Sequence, residues 1–163
     1  MRRFVVVLAA VLLLIAALGP TVEAGGGGTT VSGTWTWTNT GDTSLNLEGG
    51  GQVSNGTETS VWTGTFAGRS SDMYQMIQTG SSEVPYGPGY GTQTNVFTGK
   101  VGGNRGTMIM YVTYWWEGGE TRSYTGTWLI LSGTGGLTSL TGSGTWVGAN
   151  GVATYTGTIS LAE

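Results

Sequence analysis

Residues 97–108 read F-T-G-K-V-G-G-N-R-G-T-M, and residues 131–144 read L-S-G-T-G-G-L-T-S-L-T-G-S-G. Around the first run, Asn95, Phe97, Gly99 and Val101 alternate with Thr94, Val96, Thr98 and Lys100, the period of two that marks a strand. Gly102-Gly103-Asn104-Arg105-Gly106 then reverses the chain. In the returning strand Met108, Met110, Val112, Tyr114 and Trp116 share one face, while Thr107, Ile109, Tyr111, Thr113 and Trp115 share the other. Both faces carry large side chains, as expected if one lines a barrel and the other is an aromatic-rich exterior or a subunit contact. Glu117-Gly118-Gly119-Glu120 predicts a turn into a third strand with Tyr124, Gly126, Trp128 and Ile130 aligned. The second run leads into a fourth, with Leu140, Gly142, Gly144 and Trp146 aligned. Residues 97–146 are thus four antiparallel strands joined by tight turns.

The same reading extends outward. Residues 31–39 alternate cleanly, with Val31, Gly33, Trp35 and Trp37 on one face. A weaker strand over 44–53 is broken by Gly49-Gly50-Gly51, which predicts a bulge or bend. Ser54-Asn55-Gly56-Thr57 carries an Asn-Gly hairpin signal; the same residues form a glycosylation sequon at Asn55, for which the turn is the simpler explanation. A hairpin is expected over 59–66 and 72–79, turning at Ala67-Gly68-Arg69-Ser70-Ser71, with Trp62, Gly64 and Phe66 on one face. Residues 80–91 read as a long loop, either a plain connection or a lid that sets Tyr86 and Tyr90 at a cavity mouth. Ala149-Asn150-Gly151 is another hairpin signal, and residues 152–161 align Ala153, Tyr155, Gly157, Ile159 and Leu161. No window shows helical periodicity. Glycine beside an aromatic recurs at Gly33-Thr34-Trp35, Gly64-Thr65-Phe66, Gly126-Thr127-Trp128 and Gly144-Thr145-Trp146, a pattern that lets a sheet coil tightly. About eight such strands predict a single all-β domain, an antiparallel β-barrel over residues 31–163.

Ahead of it, Arg2 and Arg3, an apolar run over 4–18 and Val22-Glu23-Ala24 predict a signal peptide over 1–24, cleaved after Ala24, and a secreted or periplasmic protein. The apolar run is shorter than the roughly 20 residues of a membrane span, and Gly19-Pro20 breaks it. Residues 25–30 read as a Gly-rich tether. Without Arg2, Arg3 and Glu23, the 6 basic and 9 acidic residues become 4 and 8, a formal charge of −4. Arg69, Lys100, Arg105 and Arg122 are scattered, which argues against nucleic acid and against an anionic membrane surface after signal cleavage. With no Cys there are no disulfides and no lipid-anchored lipoprotein. With neither His nor Cys, Ser-His-Asp and Cys-His nucleophiles cannot be built, nor a zinc site with nitrogen or sulfur ligands.

The runs at 97–108 and 132–144, preceded by Trp62-Thr63-Gly64-Thr65-Phe66-Ala67-Gly68 and Tyr74-Gln75-Met76, resemble the allene oxide cyclase barrel-like superfamily, and within it a bacterial branch known only as a domain of unknown function. The resemblance covers roughly residues 33–159. It implies an eight-stranded barrel whose cavity holds an apolar molecule and works without a cofactor, as in plant allene oxide cyclases, dirigent proteins and related polyketide cyclases. In that branch an acidic residue often precedes the position of Phe97. Here Asn95-Val96 stand there, so the wall is expected to lack that carboxylate.

The expected ligand-binding interior is Trp35, Trp37, Trp62, Phe66, Phe97, Met110, Tyr114, Trp128 and Tyr155, with Trp116 and Trp146 also inward. These rings either fill the core or line a pocket, and small barrels are often filled by their own side chains. Asp42, Glu48, Glu58, Asp72, Glu83, Glu117, Glu120 and Glu163 fall mostly at turns, where solvation explains them. Glu58 and Glu48 lie in or near strands, and either would become a base of raised pKa if it pointed inward. No catalytic residue, metal or cofactor is assigned. The candidate partners are an apolar small molecule, whose cyclisation or isomerisation the barrel would steer, and further copies of the chain. The alternatives are a non-catalytic module using Trp115 and Tyr111 on glycans or on its own subunits, and an avidin-like ligand barrel. The last rests on Gly33-Thr34-Trp35 and Thr63-Gly64-Thr65-Phe66, which resemble avidin's opening strands, whereas the 133–144 run does not fit.

Overall fold

Period-two alternation holds through eight strands: β1 (Thr29–Asn46), β2 (Gln52–Gly64), β3 (Phe66–Gln78), β4 (Gly89–Val101), β5 (Asn104–Trp116), β6 (Ser123–Gly135), β7 (Leu140–Ala149) and β8 (Val152–Leu161). In the computed structural model, which describes residues 28–48, 50–80, 87–118 and 122–162, each strand pairs antiparallel with the next, and β8 returns to β1 to close a barrel. The expected all-β architecture is the observed one. Thr29 and Thr30, assigned to the tether by sequence, pair with Ile159 and Thr158 as the first residues of β1. The predicted signal peptide lies outside the described residues, as does Tyr86.

Two expected turns are present. Gly102-Gly103 (φ 57° and 96°) and Asn150-Gly151 (φ 53° and 80°) both take the paired positive φ angles of a primed hairpin turn. Two others are displaced. Asn55-Gly56 is not a turn but the middle of β2, where Asn55 faces Thr43 and Gln75, and Gly56 faces Asp42 and Tyr74. Glycine is needed there because a Cβ would strike the Tyr74 ring on one side and come within 2.5 Å of the Gly41 carbonyl on the other. The chain reverses earlier, where Gly50 and Gly51 have positive φ. Likewise residues 67–71 continue β3, and the reversal is at Gly64-Thr65, with Gly64 at φ 94°. The predicted loop over 80–91 is also shorter than expected, because Gly89, Tyr90 and Gly91 already belong to β4.

The core fills the half of the barrel nearest the β2–β3, β4–β5 and β6–β7 turns. Val31, Val101, Met108, Leu137, Leu140 and Ile159 pack with a cluster of rings. Trp35 stacks on Trp62 (centroids 4.5 Å apart, planes at 27°), Phe66 on Tyr155 (4.9 Å, 10°), and Trp128 meets Phe66 edge-on (5.5 Å, 80°). Each such ring removes on the order of 200 Å² from water. Their polar atoms are bonded: Trp62 Nε1 donates to Ser70 Oγ (2.8 Å) and Trp128 Nε1 to the Thr156 carbonyl (3.2 Å). The Tyr155 hydroxyl accepts from the Phe66 amide (2.8 Å) and donates to the Thr63 carbonyl (3.1 Å), tying β8 to the β2–β3 turn.

Glycines opposite the rings admit them. Gly33 faces Tyr155, Gly56 faces Tyr74, Gly91 faces Tyr114, Gly126 faces Trp146 and Gly144 faces Trp128 across the ladder. At Gly144 an added Cβ would lie 2.6 Å from the Trp128 ring, with a backbone carbonyl closer still. Gly144→Ala is therefore expected to destabilise the barrel by about 1–3 kcal/mol through overpacking. Tyr155→Phe, which strands one buried donor and one acceptor, is expected to cost about 1–3 kcal/mol. Urea denaturation followed by tryptophan fluorescence measures both.

Candidate functional site

The ring packing stops partway up the barrel. Beyond Trp35 and Trp146, toward the β1–β2, β3–β4 and β5–β6 end, the interior opens into a cavity of about 240 Å³. One wall is aromatic: Trp35, Trp37, Tyr114, Tyr124 and Trp146, with Met76. Its rings stand across one another, Trp37 on Tyr124 at 6.3 Å and 81°, and Tyr114 on Tyr124 at 6.0 Å and 80°. The other wall is polar: Asn39, Asp42, Glu58, Tyr74 and Gln93, with Arg122 entering just before β6.

Register explains the polar wall. The inward residues of β2 run Ser54, Gly56, Glu58, Ser60 and Trp62, and those of β3 run Phe66, Gly68, Ser70, Asp72 and Tyr74. Glu58 therefore sits directly opposite Asp72, which sits opposite Asn95 on β4. A bulge in β1 between Asn39 and Gly41 shifts the alternation by one, so that Asp42 pairs with inward Gly56 and joins the same wall. The Tyr74 hydroxyl accepts from Asn39 Nδ2 at 2.9 Å and hydrogen-bonds Asp42.

Two carboxyl groups this close in a dry wall cannot both ionise easily. Glu58 is pushed up to about 7, first by burial and then by the charge of Asp72, and only partly restrained by Gln93, whose Nε2 donates to Glu58 Oε2 at 3.3 Å. Burial also raises Asp72, against the opposing hydrogen bonding of Ser60, Ser70 and Gln93. Asp72 Oδ2 accepts from Ser60 Oγ at 2.5 Å. Among the described residues, Asp72 Oδ1 and Asn95 Oδ1 have no hydrogen-bond partner, and both side chains are almost completely buried. Burial raises Tyr114 as well, so its hydroxyl stays protonated.

The expected interior residues all face inward but divide between cavity and core. Trp37 lines the cavity, Trp35 and Tyr114 border it from the packed core, and Trp62, Phe66, Phe97, Met110, Trp128 and Tyr155 lie within that core. Tyr90 is not a lid: it lies on the outer face of β4, 47 % exposed, opposite Trp115. Trp115 and Tyr111 are on the exterior, as their alternation implied. The carboxylate of the related branch just before the position of Phe97 is absent here, and the wall instead holds one in Asp72, across the ladder from Asn95. Asp72 reads as a turn residue when the turn is placed at 67–71, whereas Glu58 already falls in or near a strand; alternation carried through residues 52–64 and 66–78 puts both inside. Asn39, Asp42, Tyr74, Met76, Gln93, Arg122 and Tyr124 were absent from the expected ligand-binding set, while Trp146, expected inward, lines the cavity. Among the described residues, no group of three His, Cys, Asp or Glu is placed to hold a metal ion.

Among solved structures, the chain is similar to a protein of unknown function of the DUF3224 family from Shewanella oneidensis MR-1, with a TM-score of 0.67 and 17 % identity over 84 % of this chain and 99 % of that one. At that identity the likeness carries the barrel-like fold. No protein-family model matches the sequence, and no curated protein does.

Because Glu58 holds its proton more tightly folded than unfolded, its contribution to stability is complete below about pH 4.5 and is lost as pH rises toward about 7. Asp72 acts in the same sense. Glu58→Gln is expected to flatten the decline in stability over that interval and to be more stable than the parent at pH 8, by on the order of 2 kcal/mol after solvent screening. Urea midpoints at pH 4.5, 6 and 8 check this.

Proposed function

We propose that this protein is a small-molecule-binding barrel, acting outside the cytoplasm after removal of residues 1–24, whose ligand enters the half-open cavity with an apolar body against the Trp and Tyr wall and a polar group against Glu58. The observation that carries the reading is the division of the interior. One half is packed with side chains, while the other leaves about 240 Å³ between aromatic rings and hydrogen-bonding groups. Apolar walls with a few convergent polar groups are the usual make-up of a ligand site. The volume lies below the roughly 300–1,000 Å³ of sites for drug-sized molecules, so the ligand is about the size of a single substituted ring.

The resemblance to the allene oxide cyclase barrel-like superfamily agrees with a cofactor-free cavity protein, but Trp62, Phe66, Phe97 and Trp128 occupy the depth that a long acyl or polyketide chain would need. A second reading, proton-transfer isomerisation of the bound molecule, is favoured by Glu58 alone. A carboxyl group poised near pH 7 in a cavity wall can both take and return a proton.

A panel of neutral single-ring compounds, fatty acids and soluble glycans, read by tryptophan fluorescence and melting temperature, tests the proposal. Single-ring compounds are expected to quench and to stabilise, with the effect lost in Trp37→Ala. A response confined to glycans and abolished by Trp115→Ala would overturn it.

A further inference from the structure

Resting on that reading, we propose that the cavity is a cation site: its ligand carries a small organic ammonium group, held between the crossed faces of Trp37, Tyr114 and Tyr124 and the carboxylate of Glu58. Aromatic faces carry negative potential, and a quaternary or protonated amine gains most where several rings and a desolvated carboxylate meet. Trp37 and Tyr114 both meet Tyr124 edge to face, and the three rings line the same space as Glu58.

The charges around that space point the same way. Among the described residues, Asp42 from β1, Glu58 from β2 and Arg122 before β6 are the charged groups lining it, Asp72 from β3 lies beside Glu58, and Tyr74, Tyr114 and Tyr124 are the other titratable ones. With Glu58 ionised, Asp42 and Glu58 set two carboxylates against the one guanidinium, that of Arg122, among the described lining residues, and any charge on Asp72 adds to the negative side. One ligand cation balances them. An anion would instead require Glu58 to stay protonated and would lie against Asp42. Because Glu58 gives up its proton when a cation arrives, binding is coupled to proton release and strengthens as pH rises.

Three probes of nearly one shape separate the outcomes by calorimetric titration of the intact barrel: choline, its neutral isostere 3,3-dimethylbutan-1-ol, and the anion 3,3-dimethylbutanoate. Choline is expected to bind at least about tenfold more tightly than the alcohol at pH 8, as a desolvated cation–π contact implies. Its affinity should rise roughly tenfold from pH 6 to pH 8, following the ionisation of Glu58. Glu58→Gln, with its fold verified by circular dichroism, should remove the pH dependence and reduce the preference while still binding the alcohol. Tyr124→Leu should weaken choline more than the alcohol. Equal binding of choline and the alcohol would overturn the cation assignment and leave the small-molecule reading standing. Tighter binding of the carboxylate would overturn it in favour of recognition by Arg122. Binding of none of the three, together with no response to the neutral single-ring panel, would remove both readings.

Discussion

The rings inside this barrel depend on glycines on the neighbouring strand. A sheet of eight strands encloses too little space for so many indoles and phenols if every opposing residue carries a side chain. Placing glycine across the ladder from Tyr155, Tyr74, Tyr114, Trp146 and Trp128 lets the rings lie flat on the backbone. The same absence of Cβ allows the sheet to coil tightly enough to close. Packing, closure and the position of the cavity therefore share one cause. The rings opposite Gly33 and Gly144 lie in the packed half, those opposite Gly56, Gly91 and Gly126 border the cavity, and polar residues of β2, β3 and β4 complete its other wall.

This dependence also explains how far the sequence could be read. Alternation identified the inward faces of β1, β5, β6 and β8, and the paired positive φ angles at Gly102-Gly103 and Asn150-Gly151 had the expected turn chemistry. The errors came where a glycine has two explanations. Asn55-Gly56 has the composition of a hairpin turn, yet Gly56 is there to admit Tyr74, a partner 18 positions along the chain that no local pattern reveals. Ala67-Gly68-Arg69-Ser70-Ser71 misled in the same way. Each misplaced turn broke the count of two, and with it the facing of Glu58 and Asp72. Asp42 was hidden by the β1 bulge, which has no sequence signature.

A carboxyl pair inside a cavity wall is costly to stability, and nothing in the packing requires it. Ser60, Ser70, Gln93 and Asn95 surround the pair on adjacent strands, yet leave Asp72 Oδ1 and Asn95 Oδ1 unmatched among the described residues. An apolar wall would be simpler to fold, since a partly satisfied polar network is worse than hydrocarbon. The cost falls on the wall beside the cavity, while the opposite half of the barrel is built from well-matched apolar contacts.

The hydroxyl of Tyr155 has a consequence for the order in which the chain assembles. It joins β8 to residues 89 and 92 positions earlier, at the β2–β3 turn. Until β8 emerges from the ribosome, the Phe66 amide and Thr63 carbonyl lack their buried partner, Trp35 and Trp128 lack a neighbour, and β1 and β7 remain open edges. The first seven strands can form hairpins but cannot close, because the contact that completes the core is also among the most distant in sequence. Until β8 is available, the edges of β1 and β7 are open to pairing with other strands, so closure of the barrel and removal of its edges are one event.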